Sequence, residues 1–186
     1  NLERLGLSFG GDTNAFTSFD QTAYTLNLPN TSDEVVDASL FALREVAGEL
    51  LFTPESVDRE RGVIVGEERT RDTPSFRATK AMLPFLAPGQ RLADRLPIGD
   101  LDIIRTAPRD RFVDFYRAYY RPERATLIAV GDFDVDAMEA KIREKFADWT
   151  NPAPNGADPD LGQLQPREAE TRIHVEPGTQ IGRAHV

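Results

Sequence analysis

The sequence predicts an α+β fold, a mostly antiparallel sheet with helices packed on one face. Three observations carry the prediction. Residues 15–18 and 21–28 are short, alternating and rich in Phe, Tyr and Thr, so they read as strands. Residues 125–130, ATLIAV, form a continuous apolar run that reads as a buried strand. Between and after these lie longer stretches whose apolar residues recur at helical spacing.

The chain opens on NLERL, which reads as the last turn of a helix with Gly6 as its C-cap. A short apolar piece, residues 7–9, leads into the turn Gly10-Gly11-Asp12. In the second strand Tyr24, Leu26 and Leu28 share a face. Thr31 with Glu34 forms a capping box that opens a helix to about Leu51. Its apolar stripe is Val36, Leu40, Leu43, Ala47 and Leu50, which assigns it to the core. A third helix is predicted over residues 75–86, with Pro84 disturbing its end and Pro88-Gly89 breaking the chain. A short helix around residues 101–105 follows the loop Leu96-Pro97-Ile98-Gly99. A stronger one covers residues 109–120, with Phe112, Phe115, Tyr116 and Tyr119 on one side as core. Asp134 caps a helix to about Asp148 whose Met138, Ile142 and Phe146 face inward. Residues 151–166 hold four Pro and two Gly, which makes them a surface loop. Residues 171–175 read as a last strand, and the four strands are expected to join one sheet.

The helix that organises the rest is TPESVDRERGVIVGEERTR, residues 53–71. Thr53 is a good N-cap and Pro54 suits the first helical position. Val57, Glu60, Val63, Ile64 and Glu67 fall on one face, which the pattern assigns to the buried side. Glu60 and Glu67 are then two turns apart, roughly 10 Å along the axis. A buried, unpaired carboxylate costs several kcal/mol, so each acid needs a cation, a donor or water. Spacing alone favours a stripe at the edge of the core with both acids reaching water, because charged helices usually solvate their charges.

Composition narrows the function classes. The 186 residues suit one domain with room for the start of a second, and 40% hydrophobic content with eleven Phe is enough for a core. The 22 basic residues are scattered and outnumbered by 31 acidic ones, a net charge of −9, which argues against a nucleic-acid partner. With no Cys there is no disulfide framework or thiolate metal site, so any metal must be held by His, Glu or Asp. No apolar run is long enough to span a membrane, and no signal peptide is visible. The first residues read as starting mid-domain. The last six, IGRAHV at 181–186, match one translation of a common sequencing adapter and are set aside as artefact. Without His185, His174 is the only authentic histidine.

Several separated blocks resemble one family in order. RERGVIVGEE is similar to the segment that supplies the third zinc ligand in insulinase/pitrilysin-type zinc metallopeptidases, family M16. LERLGLSFGGDTNAFTSFDQTAYTLNLP resembles the stretch that follows that family's His-x-x-Glu-His helix, and LPIG and YYRPERATLIAVGDFD resemble later parts of the same domain. The resemblance runs from Leu2 to about Gln180. It implies an insulinase-type (LuxS/MPP-like) α/β roll. Residues 1–90 would be the remnant of the N-terminal region, and residues 91–180 the start of a second region of the inactive, C-terminal type, within the same structural domain.

The resemblance also implies the chemistry. Glu67 matches the family's third zinc ligand. Glu60 matches the second acid on the same helix, which orients a zinc-bound His. Glu68 points to the side of the stripe. Asn14, Ala15, Phe16 and Thr17 match the edge strand on which an extended peptide substrate pairs its backbone; without the family, these residues read as an ordinary hairpin strand. The paired His ligands and the general base belong upstream of Asn1 and are absent here, so no catalytic residue lies in this chain. The Arg and Tyr of the family's C-terminal half are absent too. The implied cofactor is one Zn2+ per complete site. The implied partners are a peptide substrate and either the missing C-terminal half or a homologous partner subunit, with no nucleic acid. The compartment stays open, the bacterial periplasm being one candidate. Two functions follow: part of a zinc metalloendopeptidase, itself inactive, or a non-catalytic M16-like structural or partner subunit without metal. The state of the upstream His-x-x-Glu-His decides between them. A Glu60/Glu67 pair buried in an apolar stripe would favour the enzyme, because an inactive subunit has no metal to offset the charge. A third, blander reading is an acidic interaction domain without metal.

Overall fold

The described residues of the computed structural model are 2–8 and 10–178. The adapter-like tail, with His185, lies outside them. The chain divides into two units: one joins the residues up to 53 to 108–157, the other joins 54–107 to the chain from 158 onward.

In the first unit a 3-10 turn at Leu2–Leu5 ends at Gly6, whose φ of 91° is the left-handed conformation the C-cap reading requires. Strands β1 (Thr13–Thr17) and β2 (Thr22–Leu26) form an antiparallel hairpin in the register Thr13↔Leu26 to Thr17↔Thr22. Helix α1 is Asp33–Gly48, α5 is Arg109–Tyr119 and α6 is Val135–Phe146. The core gathers Leu7, Val35, Val36, Leu40 and Tyr116, with Leu7 1% exposed. Helices α1 and α6 pack together, and Lys141 of α6 reaches Asp33 at 3.1 Å and Asp37 at 2.7 Å. Those acids are exposed, so solvent screens the pairs and they add little to the contact.

Several details differ from expectation. The N-cap of α1 is Ser32 rather than Thr31, and its side chain makes no capping bond, so no Thr31–Glu34 capping box forms. The buried face of α1 is Val35, Val36, Ser39, Leu40 and Arg44, while Leu50 lies beyond the helix and is exposed. Arg44 sits on that face because its guanidinium reaches Asp148 at 3.3 Å and Glu49 at 3.4 Å. On α5 only Tyr116 is buried, and Phe115 is 59% exposed. The aromatic stripe therefore wraps past the core instead of filling it.

The expected four-strand sheet is corrected too. Among the described residues there is one sheet, the β1–β2 hairpin. Residues 125–130 and 171–175 have no strand partner, and Ile128, Val130, Ile173 and Val175 are 78%, 91%, 85% and 82% exposed. Leu127 and Ala129 line one open groove with Phe133, Met138 and Ile142. An apolar run records that a segment wants cover on both faces, not which segment supplies it.

Asp134 caps α6 as its sequence position predicts, its carboxylate accepting from the Ala137 amide at 2.8 Å. Asp134→Ala is expected to cost about 1 kcal/mol of stability, and Asp134→Asn much less. The urea midpoints of the two variants check it.

In the second unit, α2 (Pro54–Arg71), α3 (Pro74–Leu86) and α4 (Leu101–Thr106) carry little core: among the described residues Ala87 is its one buried apolar side chain. Polar contacts tie the pieces. Thr73 caps α3 by accepting from the Phe76 amide, and Asp100 caps α4 by accepting from the amides of Asp102 and Ile103. Gln90 and Gly162 form an isolated antiparallel bridge; a Cβ at Gly162, whose φ is 71°, would collide with the Gly89 carbonyl. Arg77 of α3 holds Glu176 at 2.6 Å.

Candidate metal and substrate site

Helix α2 presents Glu60 and Glu67 in a way the stripe argument did not foresee. Glu60, Val63 and Glu67 lie on the solvent side, while Val57, Arg61, Ile64, Val65 and Glu68 are partly covered. No residue of α2 is buried. The expectation that Val57, Glu60, Val63, Ile64 and Glu67 share a buried face is therefore corrected. Arg61 sets the phase: its guanidinium donates to the carbonyls of Ile104 and Ala107 at the end of α4 and to Asp58 at 3.2 Å. Carbonyls at a helix C-terminus are unpaired and carry partial negative charge, so a guanidinium is a strong partner for them. Arg61 thus faces α4 and leaves Glu60 and Glu67 on the open side. With the acids in water, burial of charge no longer separates the enzyme from the inactive subunit.

Glu67 pairs with Arg71 one turn on, at 2.5 Å, with both side chains about half exposed. Among the described residues no three His, Asp or Glu side chains gather into a metal site. His174 lies 3.1 Å from Glu176. Glu67 fits zinc as one carboxylate donor on an open face; it does not by itself make a site, which needs about three protein ligands.

The hairpin belongs to the first unit. The bonds Asn27 N–H to Asp12 O (2.7 Å) and Ser18 N–H to Gln21 O (2.8 Å) set the alternation of the ladder. In that alternation Asn14 and Phe16 turn their backbone groups to β2, and Thr13, Ala15 and Thr17 turn theirs to the outer edge. The turn before β1 takes Thr13, whose amide donates to the Ser8 carbonyl and whose carbonyl accepts from the Gly10 amide. The Asn14 side chain accepts from the Ala15 amide at 2.8 Å. The Ala15 carbonyl and the Thr17 amide and carbonyl therefore face outward on an edge with no further strand among the described residues. Phe16 is 53% exposed.

Residues 1–78 match the family described as Insulinase (Peptidase family M16), and residues 106–186 match the one described as Peptidase M16 inactive domain. The chain belongs to peptidase family M16. This M16 chain is 37% identical over 146 residues to the probable zinc protease PqqL of Haemophilus influenzae, a match covering 78% of this chain and 16% of that protein. Its fold matches the first half of the periplasmic protease PqqL from Escherichia coli with a TM-score of 0.80 at 32% identity, covering 91% of this chain and 35% of that one. A protease from Helicobacter pylori matches with a TM-score of 0.69 at 27% identity, covering 86% and 37%. The M16 chain thus spans a small part of the length of these relatives. Among its described residues no helix is long and apolar enough to cross a membrane.

The sequence reading did not assign Arg61, Arg71 or the Asn14 side chain. Arg71 was within reach of it, since Glu67 and Arg71 stand four residues apart on a helix. The carbonyls Arg61 binds lie more than forty residues away and leave no trace in local spacing.

Proposed function

We propose that this chain is part of a zinc metalloendopeptidase that hydrolyses peptide bonds in peptides or small unfolded proteins. The observation that carries the reading is the pair Glu60 and Glu67, two turns apart on the open face of α2, within a chain whose relatives are named zinc proteases. Glu67 would hold the metal. Glu60 would accept from a His ligand and fix its ring. The β1 edge at Asn14, Ala15, Phe16 and Thr17 would receive the substrate as an added strand, its backbone bonding to the Ala15 and Thr17 groups that face outward. When bound, zinc supplies Lewis-acid activation of water and of the scissile carbonyl. The histidines and the general base would come from outside this chain, which has no His-x-x-Glu-His. The domain as a whole is proposed to be the insulinase-type α/β roll, residues 1–90 and 91–180 belonging to its two sequence regions. The periplasmic naming of the Escherichia coli relative supports a periplasmic setting. The alternative is a non-catalytic M16-like structural or partner subunit without metal.

On its own the chain is expected neither to cleave peptides nor to bind zinc tightly, because one carboxylate cannot hold the metal against water. Calorimetric zinc titration of the bare chain checks this. A tight one-to-one site would mean that the ligands lie elsewhere in the chain. Zinc content and peptide turnover of a longer protein carrying this segment with the rest of its domain test the enzyme reading. A metal-free, inactive protein with this segment folded would favour the partner subunit.

A further inference from the structure

The hairpin that carries the proposed substrate edge has little else holding it. Its strands pair with each other along their length, and among the described residues no helix packs broadly against either. Among the described residues one polar contact ties it to the helices of its unit: the hydroxyls of Tyr24 on β2 and Tyr120 at the C-cap of α5 are 2.7 Å apart, and the rings meet edge-on at 6.4 Å. Tyr120 in turn lies 4.6 Å from the ring of buried Tyr116, whose hydroxyl donates to the Val46 carbonyl of α1 at 2.7 Å. The three tyrosines make a continuous link from α1 through α5 to the middle of β2. In the strand register Tyr24 stands directly opposite Ala15, in a pair that exchanges no backbone bond, where side chains come closest. The link therefore meets the hairpin directly across from the residue whose carbonyl faces the outer edge.

We propose that Tyr24 and Tyr120 are positioning residues for that edge. Their hydroxyl–hydroxyl bond fixes the tilt of the hairpin on α5, and with it the direction in which Ala15 and Thr17 offer their backbone groups to an extended peptide. The inference rests on the reading of β1 as a substrate edge. Partial burial, then the Tyr120 hydroxyl, raises the pKa of Tyr24 above that of an ordinary tyrosine, which provides a spectroscopic handle on the same bond.

The test uses the chain as it is, labelled with 15N, and a blocked six-residue peptide of alternating Thr and Val as the probe. Titration followed through the amide signals of Thr13–Thr17 gives the peptide affinity in the wild type, Tyr24→Phe, Tyr120→Phe and the double variant. Each single variant is expected to weaken binding by about threefold to tenfold, the span of one neutral hydrogen bond. The double variant should be no weaker than either single, since either change removes the same bond. Absorbance at alkaline pH should show Tyr24 and Tyr116 ionising late in the wild type, and in Tyr120→Phe Tyr24 should ionise earlier than in the wild type, because the contribution of the Tyr120 hydroxyl is gone while that of burial stays. Amide exchange within the β1–β2 ladder should stay protected, which separates tilt from unfolding. Wild-type binding matched by equal binding in the variants would overturn the positioning role and leave the substrate edge standing. No shift at the β1 amides in the wild type would overturn both.

Discussion

Replacing Glu67 by glutamine, in a longer protein that carries this segment with the rest of its M16 domain, is expected to strip most of the zinc and peptide turnover with it. A neutral amide oxygen is a poor donor for a site built on one carboxylate and two imidazoles. The ion pair that Glu67 makes with Arg71 does not oppose the metal strongly: an exposed i,i+4 pair is worth about 0.3–0.5 kcal/mol, far below a ligand bond. Glu60→Gln should keep much of the metal and lose about 10–100-fold in affinity or activity, as expected of a group that orients a ligand without touching the metal. Glu68→Gln should change little, because Glu68 lies on the partly covered side of α2, away from the face shared by Glu60 and Glu67. Metal content by atomic absorption beside turnover separates the three. Zinc lost with Glu68→Gln and kept with Glu67→Gln would exchange their roles.

The second large effect is structural. Arg121 is 6% exposed, yet it is a cation. Its guanidinium meets Glu123 at 2.6 Å and donates to the carbonyls of Ala153 at 2.7 Å, Asn151 at 3.2 Å and Arg117 at 3.4 Å. It joins the end of α5 to the start of the Pro-rich loop. Bonds to a charged donor are worth about 1.5–3 kcal/mol each, and truncation leaves carbonyls unsatisfied, so Arg121→Ala should cost about 3 kcal/mol. Arg121→Lys should recover only part, because a single ammonium cannot reach so many acceptors in one plane. Urea unfolding reads both; a loss under about 1 kcal/mol for the alanine would mean the loop is held by something else.

What could be read from the sequence follows the range of the physics. Asp134 caps its helix through a bond three residues long, and such a bond leaves a local signature. The hairpin was legible because period-two alternation is local as well, although β1 starts two residues earlier than the alternation suggested and β2 is shorter. The face of α2 was misread because its stripe mixes valines with acids, and what decides the phase is Arg61 gripping carbonyls of α4. The run 125–130 advertised burial by its apolarity, but a strand is a property of two segments and local composition describes one. Glu67 and Glu60 were singled out by resemblance, and spacing alone would have left them as two solvated charges.

Phe52 holds a last consequence. It has a φ of 48°, the one non-glycine residue in the left-handed region among the described residues, and it stands two positions before α2 begins. Its ring meets Tyr116 edge-on at 5.1 Å, and its carbonyl accepts from Arg109. Two requirements converge on one position. Glycine would satisfy the backbone and abandon the ring contact; leucine would keep some apolar area and still bear the strain, on the order of 1–2 kcal/mol. Asparagine tolerates the conformation but offers no ring. Few side chains serve the position well, so libraries of random substitution across the link should find Phe52 among its least replaceable residues despite its being neither charged, catalytic nor fully buried.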